Sequence, residues 1–263
     1  LGHLGVRVNS QILPDLQIDS LDRMASAALN VFLPNTLWQH YYDQLVEDTR
    51  IPYIMPPSPY GVEGTRRWVE AILKGLGMED GFEAAWTPAF APYDAVWAAL
   101  RERCGKHRLG FVIRNEEVHY LTDPGQTWGI PLIESTQEAG FGLDVLLRVT
   151  DRATAKAKAV QIEALFGKPN DHKIIGFNTF EMMRDRLKSS ACDAVLTHHF
   201  FDWRLSEAGK NRFSLQHFEL GLPGALRTME RLVRICETPF YRQYGRFLAR
   251  TREGLRPRPG RTS

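Results

Sequence analysis

A chain of 263 residues with 43% hydrophobic and 24% charged side chains holds enough apolar mass for one large or two ordinary domains, which excludes wholesale disorder. The formal net charge of +2, spread along the chain, gives no nucleic-acid surface, and the apolar runs are too short and too often broken by Pro, Gly or charge to span a membrane. Three cysteines, Cys104, Cys192 and Cys236, are an odd count at spacings that match no disulfide framework and no zinc module, so a reducing cytoplasm is the expected home.

Residues 1–5 read as the end of a helix whose beginning precedes Leu1, with no basic-then-apolar signal pattern. Residues 6–9 are expected as a strand, 21–28 as a short helix, 29–33 as a second strand and 38–48 as a helix. A third strand at 51–55 leads through the Pro-rich turn 56–61 into a helix over 62–76. That helix carries Val62, Val69, Ile72, Leu73 and Leu76 on one face, and Gly77 stands where a C-cap is wanted. Residues 79–92, rich in Ala, Pro and aromatics without a period, are expected as a connection into a helix over 93–104.

A second series follows: a strand at 109–113, a turn at 114–117 and a strand at 143–149. A helix over 153–166, capped by Asp151 or Thr150, precedes a strand at 173–177, a helix at 180–189 and a strand at 194–197. A helix over 224–236, striped by Leu226, Met229, Leu232 and Val233, closes the fold. The Arg, Pro and Gly residues after Arg250 form an expected disordered basic tail. Strands alternating with helices predict an α/β fold of two Rossmann-like units with parallel sheets, the first incomplete at its N-terminus. The expected domains are 1–92, 93–249 and the tail 250–263, with the boundary between Gly81 and Gly105.

Open α/β sheets bind ligands outside the carboxyl ends of their strands. That rule selects Pro34, Asn35 and Thr36; the 56–61 loop with Tyr60 and Gly61; Arg114, Asn115, Glu116 and Glu117; and Thr197, His198 and His199. His217, Glu219 and Leu220, just before the closing helix, make a fifth candidate. Together they predict one crevice in which Arg114 grips an anionic group with its planar fork and His198, His199 or His217 exchanges protons near neutral pH. Each has a plainer reading: a turn opening a helix at 56–61, a solvated turn at 114–117, and packing histidines at 198, 199 and 217. Gly140-x-Gly142 precedes a strand and lacks a third glycine, so it is no dinucleotide fingerprint. No P-loop, Gly-x-Ser-x-Gly or His-Glu-x-x-His occurs.

Ala28-Leu29-Asn30-Val31, Arg50-Ile51-Pro52-Tyr53-Ile54 and Pro59-Tyr60-Gly61-Val62-Glu63-Gly64-Thr65 resemble, in that order, an Ala-x-x-Asn strand, an Ile-Pro strand and a Pro-x-Gly-x-x-x-Thr helix opening of the nitrogenase component 1 family. Gly5-Val6-Arg7-Val8, residues 108–113, Cys192-Asp193-Ala194-Val195-Leu196 and Gly221-Leu222-Pro223-Gly224-Ala225 resemble further family segments, so the likeness spans nearly the whole chain. In this pattern Asn30 ties adjacent backbone, Gly61 admits a close ligand, and Thr65 bonds backbone or ligand from the first helical turn.

The resemblance implies a C-terminal portion of a nitrogenase-like reductase subunit. It also implies a homologous second subunit in a heterotetramer, an ATP-dependent iron protein as electron donor, and iron–sulfur clusters in the full complex. A non-catalytic cofactor-assembly scaffold or carrier of the same family is the alternative. The family's cofactor-holding Cys corresponds to Pro34, its ligand His to Leu220, and a Gly-Gly pair to Ile113-Arg114. These departures imply that the chain does not bind an iron–molybdenum cofactor in the nitrogenase manner. They leave no metal ligand assigned.

Overall fold

The computed structural model describes residues 1–11, 23–149, 151–166, 172–197 and 203–245. The expectations for most of 21–28, for Thr150, for His198 and His199, and for the basic tail lie outside or largely outside these residues. In chain order the regular elements begin with β1 (Asn30–Val31), α1 (Gln39–Thr49), β2 (Tyr53–Ile54), α2 (Gly61–Gly75), α3 (Phe82–Cys104), β3 (Arg108–Arg114), α4 (His119–Thr122) and α5 (Leu132–Glu138). They continue with β4 (Gly142–Arg148), α6 (Arg152–Glu163), β5 (His172–Phe177), α7 (Phe180–Ser189), β6 (Ala194–Thr197), α8 (Trp203–Glu207), β7 (Asn211–Arg212) and α9 (Gly221–Glu237). Among the described residues, no helix is long and apolar enough to cross a membrane.

These elements form two compact units, each discontinuous along the chain. The first comprises Leu1–Leu100, His119–Glu138 and Phe218–Thr228; the second comprises Arg101–Val118, Ala139–His217 and Met229–Ser263. In the first unit β1 and β2 pair in parallel, Asn30 opposite Tyr53 and Val31 opposite Ile54. Val69 and Leu73 of α2 pack with Phe82, and Leu1, Leu4, Val6, Trp68 and Trp86 close over them. The predicted helix at 62–76 is therefore present, with Val69, Ile72 and Leu73 buried as its periodicity requires.

The second unit carries a five-stranded, wholly parallel sheet in the order β5-β4-β3-β6-β7. β3 and β4, in the middle, are buried at five consecutive positions each, which is why they read as largely apolar runs without alternation, with Asp144 the one charged residue in the buried stretch of β4. Val112, Leu146, Phe177, Met183, Leu187, Cys192, Val195 and Leu205 form a contiguous cluster. Full burial of each Leu, Val, Met or Phe contributes about 1.5–3 kcal/mol before conformational entropy is subtracted. Asp151 accepts from Ala153 N and Thr154 N, so it is the cap that opens α6.

Two expectations are corrected. Residues 6–9 form no strand. Val6 N donates to Leu1 O at 3.3 Å and its side chain joins the α2 cluster, so the segment turns inward and has no ladder partner. Residues 82–92 are helix and not a connection, since α3 runs through Pro88 and Pro92. Each proline removes one N–H bond, but Phe82, Trp86 and Phe90 recur one turn apart with ring centroids 5.9 and 6.2 Å apart. That aromatic ladder and the interspersed alanines hold the helix where proline alone signals a break.

Candidate functional site

Three of the loops chosen from sequence meet within the first unit. α2 opens at Gly61, whose φ of 76° is a conformation that an L side chain adopts only at a cost. Val62 N and Glu63 N, two of the donors that a helix start leaves unpaired, bond Glu138 Oε1 at 3.1 and 2.8 Å. A Cβ at position 61 would overlap that carboxylate, so a side chain there would have to displace Glu138 as well as adopt a strained φ. Burial raises the Glu138 carboxyl above its ordinary value, the two N–H donors pull it part of the way back, and Glu63 and Glu134 push it up again.

Thr65 Oγ1 donates within its own turn, to Gly61 O at 2.6 Å and Pro59 O at 3.2 Å. Pro59 O also accepts from Gly221 N at 2.8 Å, which ties the start of α9 to the start of α2 inside the unit. Leu220 is 42% exposed, while Glu219 pairs with Arg227 at 2.6 Å and its N–H donates to Thr228 Oγ1 at 2.9 Å. Burial pushes the Tyr60 phenol up to about 12, so it stays protonated at neutral pH.

Pro34 and Ser58 converge on Gly129. A Cβ there would lie 3.2 Å from Pro34 O and would overlap Ser58 Oγ, at a φ of 80°. Asn35 accepts from Leu37 N at 3.0 Å and so caps a turn, as the plainer reading of a strand-end Asn requires. Asn30 departs from expectation. Its Nδ2 is buried without a hydrogen-bond partner among the described residues, as is Ser58 Oγ, so the amide does not tie adjacent backbone.

In the second unit, Arg114 ends β3 and is bound by its own turn. Its Nε and Nη2 lie 2.8 and 2.6 Å from Glu117 Oε1, its N donates to Glu117 Oε2 at 2.8 Å, and its Nη1 lies 3.1 Å from Glu116 Oε1. Asn115 and Glu117 are buried, so 114–117 is no solvated turn but a short 3-10 helix, Asn115–Glu117, locked by the Arg114–Glu117 pair. The arginine is not the bare cation the sequence suggests. Its register partner on β4 is Arg148, whose guanidinium lies 5.1 Å from the Phe180 ring centroid, with that of Arg204 5.2 Å from the same ring. His217 Nδ1 accepts from Ser214 N at 3.0 Å, which fixes the imidazole in a local turn. Thr197 is buried at the end of β6.

Sequence reasoning missed Glu138 and Arg148. Glu138 ends a seven-residue helix whose buried Leu132, Ile133 and Thr136 carry helical spacing, and that spacing was the available signal. Nothing in the sequence links a carboxylate to an amide 76 residues away.

Over residues 1–230 the chain matches the family model described as nitrogenase component 1 type oxidoreductase. It is similar to the solved structure titled "Nitrogenase Cp1 at pH 6.5", with a TM-score of 0.58 and 12% identity, over 92% of this chain and 55% of that one. The chain thus spans about half the length of that neighbour, and at this identity the likeness shows the fold alone. No curated protein matches the chain.

Proposed function

The chain belongs to the nitrogenase component 1 type oxidoreductase family, and from that premise we propose that it is part of a subunit of a nitrogenase-like reductase complex that passes electrons to a substrate still to be identified. The family match across residues 1–230 carries the reading. In it the chain works in the cytoplasm beside a homologous subunit in a heterotetramer, with an ATP-dependent iron protein as donor.

The 34–36, 56–61 and 219–221 loops do not fit an iron–sulfur cluster or an iron–molybdenum cofactor. Pro34 and Leu220 offer no donor atom at the positions of the family's Cys and His ligands. The N–H groups that open α2 are taken by Glu138. All three cysteines belong to the second unit, so none of them lies in these loops. The clusters of the complex are held by other residues. Within this chain, the 34–36, 56–61 and 219–221 loops form a wall of ordered backbone and carboxylate that positions a substrate or partner, and Arg114, Asn115 and Glu116 form another in the second unit.

The test is anaerobic purification of the full-length protein with its neighbour subunit, followed by iron and sulfide analysis and an ATP-dependent reduction assay with an iron protein. Cluster content together with ATP-dependent turnover is the expected result; absence of iron would dismiss the reading. The second reading, an assembly scaffold or carrier, is favoured by the lack of donor atoms at Pro34 and Leu220. It predicts iron that transfers to an acceptor protein and no turnover.

A further inference from the structure

The amino-terminal edge of the five-stranded sheet lies opposite the edge that the sequence marks for ligands, and there the second unit gathers a different set of side chains. His107 immediately precedes β3 and Asp193 immediately precedes β6, two neighbouring parallel strands. Cys236 lies in the last turn of α9. One ligand atom from each of the three lies within 4.8 Å of the others. His107 Nδ1 is 3.1 Å from Asp193 Oδ2. We propose that His107, Asp193 and Cys236 form a binding site for a zinc-class divalent metal ion, with the fourth position left to solvent.

The donor set selects that class. One imidazole nitrogen, one carboxylate oxygen and one thiolate are a borderline-to-soft trio, which suits zinc and disfavours magnesium or calcium. A tetrahedral ion holds such atoms roughly 3.5 Å apart, so the widest pair, at up to 4.8 Å, needs to contract by about 1.3 Å at most. The surrounding backbone holds the ligands in place. Gly142 N donates to His107 O at 3.0 Å and Asp193 N to Arg108 O at 2.9 Å. Asn211 Nδ2 reaches Ile235 O and Thr238 O at 2.5 and 2.6 Å, which fixes the backbone on both sides of Cys236.

Glu237, whose Oε1 is 3.9 Å from His107 Nε2 and whose carboxylate holds Arg103 at 2.9 Å, flanks the trio on the solvent side. His107 and Asp193 are partly exposed, so an ion has a way in. In sequence the three ligands are scattered, and only the sheet register and the closing helix unite them.

The experiment is zinc loading of the full-length protein, with bound zinc counted by elemental analysis and its neighbours read by X-ray absorption at the zinc edge, which iron does not obscure. The expected result is one zinc, with one sulfur neighbour at about 2.3 Å and nitrogen or oxygen neighbours at about 2.0–2.1 Å. Cys236→Ser and His107→Ala should each weaken zinc binding by more than about 100-fold, beyond what loss of a supporting residue does. Wild-type protein that retains no zinc, or zinc without a sulfur neighbour, would overturn the proposal. If Cys236→Ser fails to fold, the absorption spectrum of the wild type still decides. Retention of the sulfur neighbour in a folded Cys236→Ser variant would also overturn it, by assigning the sulfur to Cys104 or Cys192.

Discussion

At the start of α2 the carboxylate of Glu138 sits on the N–H groups of Val62 and Glu63; at the end of β3 the carboxylate of Glu117 sits on the guanidinium of Arg114. Both loops attract attention in the sequence as places for an outside anion, and in each an acidic side chain of the same unit takes that place. The donors differ. Glu138 is held by two neutral amides aligned with a helix dipole, and burial raises its carboxyl. Glu117 is held by a guanidinium that stays charged at any accessible pH, and it comes from three residues away. The first contact is long-range and responds to pH through the carboxylate; the second is a local clasp around a permanent charge. A positive feature in a sequence marks a site for negative charge without saying whether the protein fills it itself.

The largest effect that would test the contrast is expected from Gly61→Ala. The new Cβ meets the Glu138 carboxylate at a positive φ, so strain and the loss of both amide bonds add. Urea unfolding should show a loss of about 3 kcal/mol; a loss below about 1 kcal/mol would mean that Glu138 does not occupy the helix start. Next comes Glu117→Ala, which leaves Arg114 without its buried partner and should cost about 2 kcal/mol. Glu116→Ala, at an exposed carboxylate of the same cluster, should cost less than about 1 kcal/mol. Equal losses would erase the distinction between clasp and surface pair.

A third measurement uses pH. The folded-state carboxyl of Glu138 lies above its ordinary 4.5, so the folded protein binds the proton more tightly than the unfolded chain. Its contribution is therefore largest at low pH and declines as pH rises from about 4.5 through the raised value. Glu138→Gln should abolish that decline, so the variant gains on the wild type as pH rises through the window. Parallel stability curves would show that the carboxylate is not buried. The smallest effect is Arg227→Ala. It removes an exposed pair with Glu219 and should cost about 0–1 kcal/mol in a thermal melt; a larger loss would mean that the 219–221 loop depends on that pair.

The second unit was the more legible in the sequence. β3, β4, β6 and α7 are continuous apolar or capped segments, and their burial follows from position in a parallel sheet. The first unit was harder, because its strands are two residues long and its proline-bearing helix is held by aromatic spacing that proline masks. The candidate loops at 34–36, 56–61 and 219–221 were legible because strand ends and helix starts obey topology. The carboxylate that fills one of them was not. Its partner lies 76 residues away, and a glutamate at the end of a short helix looks like any solvated glutamate until the chain is folded.

The most direct test of the account is a crystal structure of the full-length protein, purified without oxygen together with its neighbour subunit. The account predicts Glu138 on the N–H groups of Val62 and Glu63, and no cluster ligand from Pro34, Asn35, Glu219 or Leu220. A cluster or a bound anion on those amides, with the Glu138 carboxylate displaced, would contradict it.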